Sequence, residues 1–451
     1  MTGPRLHFGA FLYTPGQHSA GWRHPDAIPQ TDMHFPYYIE MARTAERGFL
    51  DTIFLQDTAA IGGSGALDGA SPYRPSQGRQ VWLEPATLIA ALAAVTTHIG
   101  LIATATTTSN EPYNIARRYA TIDHISGGRA GWNLVTSQVE DEAGNFGLDK
   151  HVGHGDRYAR AGEFFDIVAG LWDSWEEDAF LYNKETGQYY DTDKLHFLRH
   201  EGEHFRVRGP LNVSRTPQGR PVVAQAGSSD VGRELAARSA DLVFTAQLAI
   251  PDGQAFRNDI HARAERHGRD PGDIKILPGL MPVIGRTDEE AQEKYRILQS
   301  LIDDRLALGM VARLAGDLDI YQYDPDGPLP PLPPSNAAKA RQDMIVKMSS
   351  EDGMSIRDIG RYLGTTQGHR LLVGSPRTVA DSMEEWLLAG GADGFNLLFP
   401  FFPGPLNDFV DLVVPELQRR GIYRTQYEGR TLRENLGISI PPNRFTKERG
   451  R

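Results

Sequence analysis

Two rhythms of apolar and polar positions alternate along the chain. Short apolar runs at 6–12, 51–55, 101–107, 130–136, 221–226, 242–245, 274–283 and 394–398 read as strands. The segments 37–47, 85–97, 112–125, 156–175, 230–238, 254–267, 379–388 and 409–420 carry apolar residues at helical spacing. Strands that alternate with helices of this length demand a parallel sheet with crossover helices. Eight strands in one alternation favour a closed (β/α)₈ barrel, the TIM barrel of the α/β class, over an open doubly wound sheet.

Two stretches exceed barrel connections, at approximately 177–220 and 286–374. The first is rich in His, Tyr and charge and predicts irregular or hairpin structure. The second predicts helices around 289–308 and 337–348, flanking the run DGPLPPLPP at 326–334. That run reads as a rigid polyproline II connector, with partner docking as the alternative. Connections this long are most often lids or binding loops, so both are candidates for enclosing a substrate. The whole chain, 1–451, is read as a single domain with these insertions and a C-terminal extension from about 421.

Composition narrows the field. The 58 acidic against 47 basic residues give a net charge of -11, which repels nucleic acid and anionic membrane surfaces. No cysteine is present, which removes disulfides, thiolate nucleophiles, iron–sulfur clusters and Cys-ligated zinc. With no leader pattern and no apolar stretch of about 20 residues, a cytoplasmic protein is expected.

Barrel enzymes build their sites at the carboxyl ends of the strands. Polar residues stand there at Asp57, at Thr104 and Thr106, at Asn133, at 225–229 and at 245–247. AQAGSSD, 224–230, is the best anion site: Ser228 and Ser229 offer donors where a helix begins, although an ordinary helix cap explains them equally. His154 and Tyr158 share a helix face and can donate to phosphate or ribityl oxygens, with Arg157 adding charge. Asp57 can accept from a flavin N–H or a ribityl hydroxyl, or serve as a cap or salt bridge. His151 with His154, and His196, His200 and His204, lack the matched ligands or HExxH pattern of a metal site, so no metal is expected. The acids at 140–142 admit glycoside hydrolysis but read better as a solvated helix start. No GxSxG, GxGxxG or GKS/T motif occurs.

GWRHP at 21–25, ARTAERGFLDTIFLQD at 42–57, TIDHISGGRAGWNLVTS at 121–137, NFGLDKHVGHGDRYARAGEF at 145–164 and RGPLNVSRTPQGRPVVAQAGSS at 208–229 together resemble the bacterial-luciferase-like flavin monooxygenase superfamily. Within it the chain is similar to the group of nitrilotriacetate monooxygenase component A, pristinamycin synthase and dibenzothiophene-sulfone monooxygenase. The resemblance implies a homo-oligomer, dimer or tetramer, that receives FMNH₂ from a separate NAD(P)H:FMN reductase and uses O₂. It implies that Asp57 and Asn133 contact the isoalloxazine and ribityl parts and that Thr104 and Thr106 line the flavin edge. It gives His154, Tyr158, Ser228 and Ser229 the ribityl chain and phosphate. His18 is the candidate for a group facing the activated oxygen or the substrate.

Leu314 stands where sulfone- and alkane-oxidising relatives tend to carry histidine. That, with DGPLP at 326–330, suggests an aminopolycarboxylate substrate like nitrilotriacetate, for which Arg23, Arg305 and Arg313 are available donors. A neutral sulfur or aromatic substrate against Trp22, Phe54 and Phe244, a deazaflavin-dependent oxidoreductase, and a non-catalytic flavin-binding protein remain as alternatives.

Overall fold

The computed structural model describes residues 3–28, 30–61, 81–137, 139–316, 318–333 and 339–449. Nine parallel strands form its main sheet: β1 (His7–Phe11), β2 (Thr52–Leu55), β3 (Gly100–Thr106), β4 (Ala130–Val135), β5 (Val222–Gln225), β6 (Leu242–Thr245), β7 (Lys275–Ile284), β8 (Arg370–Gly374) and β9 (Gly394–Leu398). Their order is β6-β5-β4-β3-β2-β1-β9-β7-β8, and a further pairing of β6 with β7 closes eight of them into a barrel. Each of the eight predicted strands is present, with ends shifted by at most one residue.

β8 was not among them. Its apolar run is only Leu371, Leu372 and Val373, too short to stand out beside Arg370. Leu280 of β7 pairs with Leu397 of β9 and with Arg370 of β8, so β8 continues the edge that β6 vacates after Thr245. The predicted helix at 289–308 is two helices, Asp288–Ser300 and Asp304–Ala312, because the Asp303 side chain accepts the Leu306 N–H at 2.8 Å and starts the chain afresh. A helix at Ile356–Thr366 was also missed, although Ser355 and Asp358 form a capping box. The predicted helix at 337–348 appears as Lys339–Ser350; 337–338, and Pro334 of the proline run, lie outside the described residues. The first insertion forms two hairpins, Phe180–Asn183 with Gln188–Tyr190 and His200–Glu201 with Arg206–Val207.

Successive strand residues point alternately outward and inward. Outward, Trp132 of β4 packs under the helices against Phe164 and Trp172, at ring separations of 5.9 and 6.4 Å. Inward, Phe11, Phe54, Ile102, Val222, Phe244 and Leu277 fill the barrel, joined by Leu432, Leu436 and Ile438 of the C-terminal segment. Each such side chain contributes about 1.5–3 kcal/mol on burial.

Polar ties lock the amino ends of the strands. Asp51 accepts the Phe8 N–H at 2.7 Å, Asp241 that of Val223 at 2.9 Å and Asp393 that of Ile276 at 2.9 Å. Their cations are Arg424, Arg433 at 2.7 Å and Arg257 at 2.8 Å respectively.

Asp123, fully buried in the helix Pro112–Ser126, accepts the Ala130 N–H at 3.1 Å and Gln218 Nε2 at 2.6 Å. Burial raises its pKa from 3.8 to about 6, against the lowering by those hydrogen bonds. The folded state therefore holds a proton that the unfolded chain has released, and stability falls as pH rises from about 4 to about 6. At 1.36 kcal/mol per pKa unit the loss is about 3 kcal/mol. Asp123→Asn cannot ionise, so wild type is expected to lose about that much stability relative to the variant between pH 4 and pH 7. Urea denaturation at both pH values checks this, and parallel pH profiles for the two proteins would contradict it.

Candidate active site at the carboxyl end of the barrel

Thr104 and Asn133 are register partners on β3 and β4. Both are buried, and they share the inward parity of Ile102. Thr104 Oγ1 donates to the Leu55 carbonyl at 2.8 Å, which leaves it to accept from Asn133 Nδ2 at 2.7 Å. That network fixes the amide orientation and turns Asn133 Oδ1 away as a buried acceptor without a partner among the described residues. Such an atom costs about 1–3 kcal/mol unless a ligand N–H or O–H meets it.

Thr106 Oγ1 accepts from Ser137 Oγ at 2.8 Å and from the Thr108 N–H at 3.1 Å. Ser137 sits at a left-handed φ of 48°, and its carbonyl accepts Arg157 Nη1 at 2.7 Å. The ends of β3 and β4 are thereby tied to the helix His154–Trp172. Asp57, two residues beyond β2, accepts Trp82 Nε1 at 3.0 Å. Burial raises its pKa, and the Trp82 hydrogen bond partly offsets the rise.

The second group lies on the rim. His154 is the first residue of its helix and exposed; Tyr158, one turn on, is half-buried, with the ring centroids 4.9 Å apart. Ser229 caps the helix Asp230–Ser239: its Oγ accepts the Gly232 N–H at 3.2 Å, so the hydroxyl hydrogen is left to donate outward. The helix-cap reading therefore holds and is compatible with an anion. At Gly227 a Cβ would come within 2.6 Å of Gln225 Nε2 and 2.9 Å of the Gly232 Cα, so only glycine fits this cradle. Arg238 pairs with Asp166 and donates to the Gly162 carbonyl at 3.0 Å, holding the two helices side by side. Two adjacent helix starts with Ser228, Ser229 and Tyr158 suit a phosphate.

His18 is buried on the segment after β1, whose backbone follows the segment after β9 through Gln17 N to Phe399 O and His18 N to Pro400 O, at 2.8 and 3.2 Å. Its Nδ1 accepts the Ala20 N–H at 3.1 Å, which assigns the proton of a neutral ring to Nε2. Phe54 and Phe244 line the barrel interior together with Phe11, whereas Trp22 is 39% exposed on the surface. Arg23, Arg305 and Arg313 are exposed as well, with Arg23 Nη1 donating to the Leu301 carbonyl at 2.8 Å. Leu314 is buried in the core of the second insertion beside Met310 and Val311. His196 pairs with Glu176 and His200 with Glu163, each at 2.8 Å, and Glu142 holds the Ala59 N–H at 2.9 Å; these groups serve loop structure.

Sequence reasoning missed His369 and Asn396. His369 precedes β8, is buried, and stacks on Phe244 at 5.0 Å. Its ring fills the space where a Cβ on Gly279 would stand, 2.3 Å from His369 Nδ1. Asn396 on β9 is the register partner of Gly279, and both its amide atoms, like His369 Nδ1, are buried without partners among the described residues. Recognising β8 would have drawn attention to His369.

The family model described as luciferase-like monooxygenase matches residues 10–393. The chain is 48% identical to the N-acetyl-S-(2-succino)cysteine monooxygenase of Bacillus subtilis (strain 168), over 98% of this chain and 99% of that protein. It is also 48% identical to the nitrilotriacetate monooxygenase component A of Aminobacter aminovorans, over 98% of each. Among solved structures, a long-chain alkane monooxygenase superposes with a TM-score of 0.83 at 34% identity, covering 99% of this chain and 100% of that one.

Thr104→Val removes both the donor to Leu55 and the acceptor of Asn133 Nδ2 while keeping the shape. Two buried polar groups then lose their partner, and a stability loss of about 1–3 kcal/mol is expected. Thr104→Ser should recover most of it. Equal denaturation midpoints for wild type and the valine variant would refute this account of the pair.

Proposed function

This chain belongs to the luciferase-like monooxygenase family, and from that premise we propose that it hydroxylates a small polycarboxylated amine, or a similar carboxylate-rich compound, at the carbon beside the heteroatom. It is a flavin-dependent monooxygenase that acts on a small organic substrate with O₂ and with reduced FMN from a separate reductase component.

The residues at the barrel mouth fit FMN. Asn133 Oδ1, the orphaned acceptor, would take an N–H of the isoalloxazine, with Thr104 and Thr106 along the ring edge and Asp57 toward the ribityl hydroxyls. Ser228, Ser229, His154 and Tyr158 would hold the phosphate at the two helix starts. Bound reduced FMN supplies the two electrons that activate O₂. One oxygen atom enters the substrate C–H bond as C–OH; the other leaves as water, and FMN is released oxidised. In an amine the resulting carbinolamine collapses: the C–N bond breaks, nitrogen leaves as the amine with the hydroxyl proton, and an aldehyde remains. His18, whose Nδ1 is held by Ala20, would present Nε2–H toward the oxygen or the substrate.

The observation that carries the substrate reading is equal likeness to two monooxygenases whose named substrates both bear several carboxylates. The aromatic interior formed by Phe11, Phe54 and Phe244, with ring centroids 5.3 to 5.7 Å apart, favours a second reading, a neutral sulfur or aromatic compound. A screen with a coupled NAD(P)H:FMN reductase, and with catalase present to remove leaked peroxide, separates them. Nitrilotriacetate, N-acetyl-S-(2-succino)cysteine, sulfones and thioethers are compared by product formation. Aldehyde or cleaved thiol from the carboxylated compounds supports the first reading; turnover confined to neutral sulfur compounds sinks it.

The phosphate grip has its own test. Tyr158→Phe and Ser229→Gly are each expected to weaken FMN binding by about 1–3 kcal/mol, since each removes a donor to a charged group. Glycine is chosen at 229 because it retains most of the helix-capping stability. Riboflavin, which lacks the phosphate, should bind both variants as it binds wild type. Equal losses for riboflavin and FMN in fluorescence titrations would show that the two side chains are structural.

A further inference from the structure

The second insertion holds a cation, Arg341, that has no counter-ion among the described residues. Arg341, half-buried in the helix Lys339–Ser350, makes one hydrogen bond among the described residues, Nη1 to the Gln367 carbonyl at 2.8 Å, and no ion pair. Other buried arginines are treated differently. Arg129 makes five side-chain hydrogen bonds, to Ala93, Thr96, Ile99 and Ser126, and Arg424 and Arg433 lie against aspartates. A half-buried guanidinium with most of its donors unused is free to take an anion.

Arg341 also stands beside the barrel interior. Gln367, its partner, is two residues from His369, whose ring lies over Gly279 and against Phe244. Burial, reinforced by the nearby charge of Arg341, pushes the His369 imidazole down to about 3. The ring is therefore neutral at ordinary pH, and it can hydrogen-bond to a ligand without adding charge or repelling the arginine. Its Nδ1, like both amide atoms of Asn396, has no partner among the described residues.

We propose that Arg341 and His369 form the carboxylate-binding end of the substrate pocket, with Arg341 gripping a substrate carboxylate through its remaining N–H groups and the His369 imidazole hydrogen-bonding the anion beside the Phe244 face. This subsite rests on the polycarboxylate reading above and names residues that would enforce it. A planar fork that takes carboxylates bidentately is what such recognition needs, and a lysine would supply charge without the fork.

The test uses the full-length enzyme with its coupled reductase, on nitrilotriacetate and N-acetyl-S-(2-succino)cysteine, each beside its fully methylated ester. Arg341→Gln is expected to raise KM for the acids at least tenfold and KM for the esters less than twofold, with FMN affinity unchanged. Arg341→Lys should recover part of the loss, and His369→Asn should raise KM for the acids several-fold while affecting kcat less. Wild-type turnover of the acids together with an unchanged KM in Arg341→Gln overturns the subsite and leaves the substrate reading intact. An equal KM rise for acids and esters likewise overturns it, since that marks a general disturbance. Wild-type turnover confined to neutral sulfones overturns the reading and the subsite with it.

Discussion

Asp51, Asp241 and Asp393 each stand immediately before a barrel strand, and each carboxylate accepts the backbone N–H at the start of the strand next door. The three contacts join β2 to β1, β6 to β5 and β9 to β7, so they fix stagger where the sheet must close on itself. Each aspartate is paired with an arginine, and two of those arginines, Arg424 and Arg433, come from the C-terminal segment. At Asp51 burial works to raise the pKa, but the charge of Arg424, aided by His7, holds it below the usual carboxylate value. Removing one partner of such a pair costs about 3–5 kcal/mol, because it strands the other charge. The C-terminal segment thus ties two of the three strand junctions, and it seals the amino end with Leu432, Leu436 and Ile438.

With one end sealed and tied by ion pairs, the other can carry the unpaired polar groups that a ligand site needs. At the amino end, carboxylates meet guanidinium groups and backbone N–H. Further along the same interior, Asn133 Oδ1, both amide atoms of Asn396 and His369 Nδ1 lack partners among the described residues. The contrast is one of function, since a protein built for stability alone would fill these positions with aliphatic side chains.

Much of this could be read in the sequence. The eight barrel strands were legible because parallel strands covered on both faces are continuous apolar runs, and Thr104 and Asn133 were legible because polar residues interrupt such runs at their carboxyl ends. Ser229 was legible only as an ambiguity, cap or anion ligand, and the geometry permits both since the cap uses the oxygen and leaves the hydrogen. β8 was not legible: three apolar residues are shared by strands and turns alike, and only the edge vacated by β6 makes them a strand. His369 and Arg341 were hidden for a related reason. Nothing local marks either one; the first depends on a missing side chain at Gly279, 90 residues earlier in the chain, and the second on the absence of a counter-ion among the described residues. Arg23, Arg305 and Arg313 were equally plausible by type, and all three lie exposed.

Glycine placement shows how the interior was opened. Gly9 and Gly279 flank Asn396 in register on β1 and β7. A Cβ at Gly9 would come within 2.6 Å of Asn396 Oδ1, and one at Gly279 within 2.3 Å of His369 Nδ1. The two strands on either side of β9 have therefore each given up a packing side chain at the level of one polar residue, a loss in strand stability that apolar packing does not return. Alanine at either position would push on Asn396 or His369 rather than on a flexible apolar neighbour. Backbone approach, a polar side chain and an aromatic ring are thus accommodated together in the closed barrel, and this depends on the amino end being secured independently by its aspartate and arginine pairs.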